Sequence, residues 1–222
     1  CTLYCDDNIT WGESFEDHMD SLHQVFKRYS IHNVTVKLAK CHFDCRSTEY
    51  VGHIVEVGKG VRTDPAKVSA IVAMPRPRTV MELKSFLGSA SYYKRFCKDF
   101  AHIAMPLRKI ENVYSSKHMD ISSLWGPNQQ RSFVALKAVL VAAPVLAFPD
   151  FNKAFIVASD CSGVAKGAVL MQEHNGTLHP VEYWSQALNE HEVNYGISDR
   201  EGCAATGACR RWRPMLLGSH TI

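Results

Sequence analysis

The sequence predicts an α+β chain, with helical and strand segments in separate stretches. Apolar residues recur at helical spacing after Ser14 and again between Pro65 and Ile110. From Phe155 to Ser185 the pattern is strand-like, broken at His174-Asn175-Gly176, and Asn-Gly is the strongest short hairpin signal. No internal repeat or low-complexity stretch argues for a solenoid or a disordered chain. The 222 residues are 46% hydrophobic and 21% charged, a globular composition with room for one or two cores. No apolar run approaches the ~20 residues of a membrane span. The chain starts at Cys1 without a basic-then-apolar leader and reads as a piece of a longer polypeptide.

Taken in order, Asp6-Asp7 sits between apolar residues at what reads as a hairpin bend. Ser14 with Asp17 is a variant capping box, and Phe15, Met19, Leu22, Phe26 and Tyr29 form one helix face. Val34, Val36 and Leu38 alternate as in a half-buried strand. Tyr50 to Val57 reads as a strand entering the turn Gly58-Lys59-Gly60. Asp64-Pro65 is an N-cap followed by proline in the first turn of a helix that stops before Pro75. Thr79 and Glu82 make a second capping box. Val80, Leu83, Leu87 and Ala90 then line one face, with Phe86 and Tyr93 beside it. A third helical piece covers Phe100 to Ile110, and the polar run Glu111 to Ser123 reads as a linker. Trp125 opens a new section with a helix marked by Phe133, Leu136 and Leu140 and ended by Pro144. Strands at Phe155 to Ala158, Gly167 to Gln172 and Thr177 to Ser185 should form an antiparallel meander with Asp160 at one strand's end. Glu190 to Leu217 is helix-like but interrupted by Gly196, Gly202 and Gly207.

Charge is unevenly spread. From Lys59 to Lys117 there are twelve Lys or Arg against four acids, a net of +8, so the remainder of this +3 chain is −5. A basic middle between acidic flanks suits a polyanion seated beside metal-binding carboxylates, and equally suits a lysine-rich solvated surface. The eight cysteines are scattered and read as reduced thiols of an intracellular protein. Cys41-His42-Phe43-Asp44-Cys45 has zinc-like ligand types, but no second pair stands at a plausible spacing.

Adjacent aspartates repel, and a pair of divalent ions offsets that repulsion. Tyr4-x-Asp6-Asp7 at a bend would put two carboxylates into one small space, as phosphoryl transfer requires. Alone, the string is equally an exposed turn. The surroundings add weight: "FEDHMDSLHQVFKRY", "KCHF", "YVGHIVEVGKGV", "DPAKVSAIVAMPRPRTVMELKSFLGSASYYKRF", "IAMPLRKI", "PVLAFPDFNKAFIVASDCS", "GAVLMQ" and "LHPVEYWSQAL" follow in series. In this order and spacing the chain, from Tyr4 to about His220, closely resembles the pol polyprotein of gypsy-type long-terminal-repeat retrotransposons, a reverse transcriptase joined to ribonuclease H.

The resemblance implies an α+β architecture in four parts. Residues 1–60 would be the C-terminal part of a polymerase palm, 61–118 a three-helix thumb, 119–150 a connection, and 151–222 a truncated ribonuclease-H-like α/β domain. It implies RNA-directed DNA synthesis with cleavage of the RNA strand of RNA–DNA hybrids, using Mg2+ or Mn2+. Asp6 and Asp7 would be polymerase carboxylates and Tyr4 the tyrosine beside the primer end. Lys40 would stand near the departing pyrophosphate, or be a solvent-facing strand residue. Gly52 and His53 fall in a hairpin resembling the primer grip. Asp160 and Glu201 would be carboxylates of the ribonuclease H site, with Asp199 a weaker candidate. Lys84, Lys94, Arg95 and Lys98 are candidate phosphate contacts of the thumb. His174 reads as a surface residue, Tyr92-Tyr93 as thumb core, and Arg210-Arg211-Trp212-Arg213 as suiting the end of a helix more than nucleic acid. The expected partners are primer-template, RNA–DNA hybrid and the rest of the polyprotein, in a cytoplasmic particle or the nucleus and not at a membrane.

The chain also departs from the family. The first polymerase carboxylate would lie upstream of Cys1, and the remaining ribonuclease H carboxylates would lie beyond Ile222. On that reading the chain alone binds hybrid weakly and catalyses nothing, as a catalytically dead nucleic-acid-binding relic also would. Asn8-Ile9-Thr10 replaces a usually apolar strand, and Gly202 and Gly207 stand where Leu and Ala are usual. Each glycine costs ~1 kcal/mol against Ala, so replacing both is expected to stabilise a worn helix.

Overall fold

Turn chemistry places the first elements. β1 (Thr2–Tyr4) and β2 (Asp7–Ile9) pair antiparallel around Cys5-Asp6, with Tyr4 opposite Asp7 and Cys5 at a left-handed φ of 52°. The computed structural model describes residues 1–113 and 118–222, which fall into two units, Cys1–Val57 and Gly58–Ile222.

In the first unit, α1 (Phe15–Ile31) starts at the N-cap Ser14, whose hydroxyl accepts from the Asp17 amide at 3.1 Å. Asp17 reaches back to the amide of Glu13, one residue before the position a strict capping box would use. Asn8 donates to the Tyr29 hydroxyl at 2.8 Å and so joins the first hairpin to α1. The expected strand at Val34, Val36 and Leu38 does not form. The segment is irregular and ends in a 3-10 turn, Leu38–Lys40, with all three apolar side chains exposed. Alternation makes a strand only where a neighbouring strand takes its backbone groups. The run Tyr50 to Val57 is not one strand either. β3 (Ser47–Tyr50) and β4 (His53–Glu56) form a hairpin whose bend is Val51-Gly52, at φ 44° and 65°.

The second unit holds the core. β5 (Gly60–Thr63) exchanges backbone hydrogen bonds of 2.8 Å between Val61 and Leu146. α2 (Pro65–Ala73) has the expected Asp64 cap, which accepts from the Ala66 amide at 2.9 Å. α3 (Val80–Tyr92) is capped by Thr79, α4 runs Phe100–Val113, and α5 runs Pro127–Val141. Val80, Leu83, Phe86, Leu87, Ala90 and Tyr93 are all buried, as the periodicity predicts. They share one apolar cluster with Leu107 of α4 and with Phe133, Leu136 and Leu140 of α5. The stretches read as thumb and connection are therefore one packed body. The expected linker is helical as far as Val113 and hydrogen-bonded again at Asp120 and Ile121; residues 114–117, within it, lie outside the described residues.

β6 (Ile156–Cys161), β7 (Ala165–His174) and β8 (Thr177–Ala187) form the antiparallel meander, in that order. Asn175 and Gly176, at φ 53° and 77°, make the turn. α6 (Ile197–Arg211) and α7 (Arg213–Leu216) follow. Register sorts the sheet's faces, because directly opposed residues share a face and successive ones alternate. Ser159, Ala168 and Trp184 are opposed, and so are Val157, Leu170 and Glu182; α6 packs on this face. Ala158, Val169 and Tyr183 are opposed on the other face, where Tyr183 joins the helical core and the Ser185 hydroxyl takes the Ala101 amide at 2.9 Å. The sheet thus lies between the helical body and α6. At its free edge the residues around Thr221 pair with β6 in parallel, through amide bonds from Phe155 to His220 (2.9 Å) and from Val157 to Ile222 (3.1 Å).

Gly202 and Gly207 prove unlike. A Cβ on Gly202 would meet nothing within 4 Å, whereas one on Gly207 would lie 2.5 Å from the Trp184 ring. The expected gain from Gly207→Ala is thereby corrected: that glycine is where helix and sheet come closest. Asn8 likewise has a bonding partner in Tyr29, so two of the three signs of wear have structural uses.

Candidate active sites

In the first unit the Asp6-Asp7 pair stands at the hairpin bend as expected. Both residues are exposed, and Tyr4, opposite Asp7, is 58% exposed. Opposed residues share a face, so the phenol and the Asp7 carboxylate leave the ribbon together. Lys40 is the exposed last residue of a 3-10 turn, not a strand residue; its amide donates to the Lys37 carbonyl at 2.8 Å. Gly52 forms the second bend, and His53, the next residue, is half-buried with Nδ1 2.7 Å from the Val51 carbonyl. Val51 is β-branched and left-handed, a combination that stores backbone strain.

In the second unit Asp160 is the penultimate residue of β6, at the strand's end as expected, exposed, with Oδ1 accepting from the Cys161 amide at 2.9 Å. Register sets it opposite Gly167 and, across the sheet, Ser185. That face meets the start of α4, where Asp99 Oδ1 lies 3.3 Å from where a Cβ on Gly167 would be. Glu201 is exposed on α6, which packs against β6. It is three residues before the buried Ala204 and seven before the buried Ala208, and so lies on the stripe of the helix turned to the sheet. Asp199 is also exposed and borders a cavity of about 850 Å3 between α6 and the sheet, with Trp184, Tyr195 and Arg210 among its walls.

Sequence reasoning did not single out Arg200. Its guanidinium lies 3.6 Å from the Cβ position of Gly163, in the turn after Asp160, and its Nε is buried without a partner. The only signal was a basic residue directly before Glu201. Nor did it foresee two ion pairs that fix this region. Lys166 and Glu192 are both largely buried and bonded together, which holds the Glu192 carboxyl below its usual range with help from the Asn189 amide. Arg211 donates to the buried Glu182 through Nε (3.0 Å) and Nη2 (2.6 Å). Arg211 is therefore a structural residue, and Trp212 is fully buried, while Arg210 and Arg213 are exposed. Burial pushes the Cys161 thiol up, and that of Cys97 up to about 12, so neither is a nucleophile near neutral pH.

Of the candidate phosphate contacts, Lys84, Lys94 and Lys98 are exposed. Arg95 is half-buried, with its guanidinium 5.7 Å from the centre of the Phe96 ring. Tyr93 is core, while Tyr92 is exposed and meets it edge-on. His174 is partly covered, and its Nδ1 is 3.4 Å from Lys153 Nζ.

The carboxylates offer hard oxygen donors suited to magnesium or manganese. Among the described residues, however, no three His, Cys, Asp or Glu side chains come together in a metal-holding group. Asp6 with Asp7, and Asp160 with Glu201, lie in separate units. By itself this donor set does not make up a complete metal site.

Fold and comparison define the class. Residues 125–222 match the family described as an RNase H-like domain found in reverse transcriptase. The chain is also similar to solved foamy viral protease-reverse transcriptase structures. One, in complex with double-stranded DNA, has a TM-score of 0.82 at 19% identity over 95% of this chain and 36% of that chain. Another, in complex with an RNA/DNA hybrid, has a TM-score of 0.79 over 95% of this chain and 28% of that one. At this identity the likeness speaks for the fold alone.

More particularly, the chain is similar over its whole length to retrovirus-related Pol polyproteins of transposons. It is 37% identical over its whole length to that of transposon opus and 38% to that of transposon gypsy, both from Drosophila melanogaster, and spans 22% of each. It is 36% identical over 98% of its length to that of transposon 297 from the same fly, and spans 20% of it. Among the described residues no helix is long and apolar enough to cross a membrane.

Proposed function

We propose that the chain is a working part of an RNA-directed DNA polymerase with ribonuclease H, and that its own contribution is to hold primer-template and RNA–DNA hybrid. In this reading residues 1–60 belong to the palm, 61–118 to the thumb, 119–150 to the connection and 151–222 to the ribonuclease-H-like domain. The observation that carries it is the whole-length relationship to Pol polyproteins, with the paired aspartates at a hairpin bend and exposed lysines along a helical body.

Lys84, Lys94, Arg95 and Lys98 bind phosphates, Arg95 from a half-buried position beside the Phe96 ring. Tyr4, Gly52 and His53 contact the primer strand, and Lys40 lies near the leaving group. Asp6 and Asp7 contribute to one metal site and Asp160 to another, which Glu201 joins only round the edge of the sheet at β6, because register turns Asp160 to the face opposite α6. When bound, magnesium or manganese would supply charge stabilisation for phosphoryl transfer. The donors among the described residues do not by themselves complete a site for it. The polyprotein's activities, its particle and its cellular compartment belong to the longer protein.

The test is binding of a labelled RNA–DNA hybrid across salt, with primer extension and hybrid cleavage assayed in magnesium and manganese. Weak, salt-sensitive binding without turnover is expected, and each phosphate contact adds ~0.9 to the negative slope of log affinity against log salt. Turnover clearly above an Asp6→Asn, Asp160→Asn control would show that the active sites are more complete than argued. Loss of binding at every salt concentration would refute the nucleic-acid role.

The relic reading draws no support from the incomplete donor set, which a fragment of an intact enzyme would share. The uses found for Asn8 and Gly207 count against it.

A further inference from the structure

A groove of about 600 Å3 runs between α4 and α5. Its polar walls are His102 and Lys109 from α4 and Asn128, Gln129 and Arg131 from α5, and no carboxylate lines it. Lys109 and Arg131 are exposed. Arg131 Nη2 donates to Asn128 Oδ1 at 2.6 Å, a neutral partner that orients the guanidinium without neutralising it. The groove's floor is rigid: the buried Ser132 hydroxyl bonds to the Ile103 carbonyl and so pins α5 to α4. Two permanent cations and a histidine edge a groove whose walls are otherwise mostly apolar, and with no acid among its lining residues they form an acceptor for a chain of phosphates.

We propose that the α4–α5 groove is a second phosphodiester-binding track, distinct from the contacts at Lys84, Lys94 and Lys98. It takes one strand of the nucleic acid by its backbone, with Lys109 and Arg131 as the contacts. The inference rests on the nucleic-acid role proposed above. The Asn128 and Gln129 side-chain oxygens are already taken by Arg131 and the Gly126 amide, and the remaining lining is the apolar Ile103, Met105, Pro106 and Ala135, so the contact is to the backbone. Binding there is independent of sequence.

The experiment compares three forms of the full chain, parent, Lys109→Gln/Arg131→Gln and Lys84→Gln/Lys94→Gln/Lys98→Gln, by anisotropy with a labelled RNA–DNA hybrid between about 50 and 200 mM salt. Removing both groove cations is expected to lower the slope by ~1.8 and the affinity at least about tenfold at 0.1 M salt. Thermal midpoints should hold, because both side chains are exposed. If the Gln pair unfolds the chain, Lys109→Arg/Arg131→Lys, which keeps both charges, should retain the parent slope; loss of slope in that folded variant would overturn the proposal. A groove variant with the parent slope, beside a thumb variant with a reduced one, would overturn the groove and leave the nucleic-acid role standing. If neither variant changes the slope, both fall. If the groove pair abolishes binding of polyglutamate but not the slope for hybrid, the track serves an acidic polypeptide and the proposal is wrong.

Discussion

α1 and α3 begin in the same way and end up in different surroundings. Each has a hydroxyl N-cap, Ser14 or Thr79, and an acid three residues on, Asp17 or Glu82, that bonds a backbone amide just before the helix. Each carries an apolar stripe at helical spacing. Yet α3 buries five residues and α1 none, and no residue of Cys1–Val57 is buried at all. Capping and periodicity decide that a helix forms and which face is apolar. Whether that face contributes stability is decided by what covers it, and most helical stability comes from such packing.

The largest expected effect is a direct test of this contrast. Phe86 is 1% exposed, with its ring 4.6 Å from that of Phe133. Phe86→Ala should cost about 3–5 kcal/mol in equilibrium denaturation. Phe26 is 37% exposed and among the described residues its ring meets those of Tyr29 and Phe43. Phe26→Ala should cost less than about 1 kcal/mol. Comparable losses would mean that α1 is covered in solution and that the two units are not different in kind.

Within the second unit the two α6 glycines sharpen the same point. Gly207→Ala should destabilise by about 1–3 kcal/mol, since the methyl group must displace the Trp184 ring or the helix. Gly202→Ala should stabilise by up to ~1 kcal/mol, because its surroundings are open. Thermal midpoints moving in opposite directions would confirm that only one of these glycines is a packing residue; a rise for Gly207→Ala would mean that α6 does not approach Trp184 so closely.

A smaller effect is acid lability at the Lys166–Glu192 pair. The folded Glu192 carboxyl titrates below its unfolded value, so its contribution is complete above the ordinary carboxylate pKa of ~4.3 and is lost as pH falls through the folded value. Glu192→Gln should be less stable than the parent near neutrality, with the gap closing as pH falls below ~4. A gap that widens in acid would reverse the assigned sign.

What the sequence made legible was local. The caps at Ser14, Asp64 and Thr79, the buried stripe of α3 and the Asn175-Gly176 turn all depend on residues within a few positions of each other, and all are found. What failed needed a distant partner. The alternation at Val34 to Leu38 had no strand to pair with. Gly207 is explained by Trp184, and Arg211 by Glu182, neither close by in sequence. For the candidate sites, the Asp6-Asp7 bend and the strand carrying Asp160 could be foreseen from spacing. Which face Asp160 occupies could not, because a one-residue change of register reverses it.

The smallest effect is expected in the unit without a core, where local geometry has the least competition. Val51 leads the β3–β4 bend at φ 44°, followed by Gly52 at 65°. Two left-handed residues in succession are what a two-residue hairpin of the mirror-image kind requires, and Asn-Gly is its preferred sequence. A β-branched side chain there crowds the backbone, whereas Asn tolerates it. Val51→Asn should therefore stabilise the hairpin by about 0.5–1 kcal/mol, seen as slower amide exchange across Ser47–Glu56 with the Gly58–Ile222 unit unchanged. If the hairpin also grips the primer, relieving Val51 should alter hybrid affinity while leaving the salt slope alone, since no charge is removed. Unchanged exchange would mean that the strain at Val51 is already met by its surroundings, and that this unit is better supported than its lack of buried residues suggests.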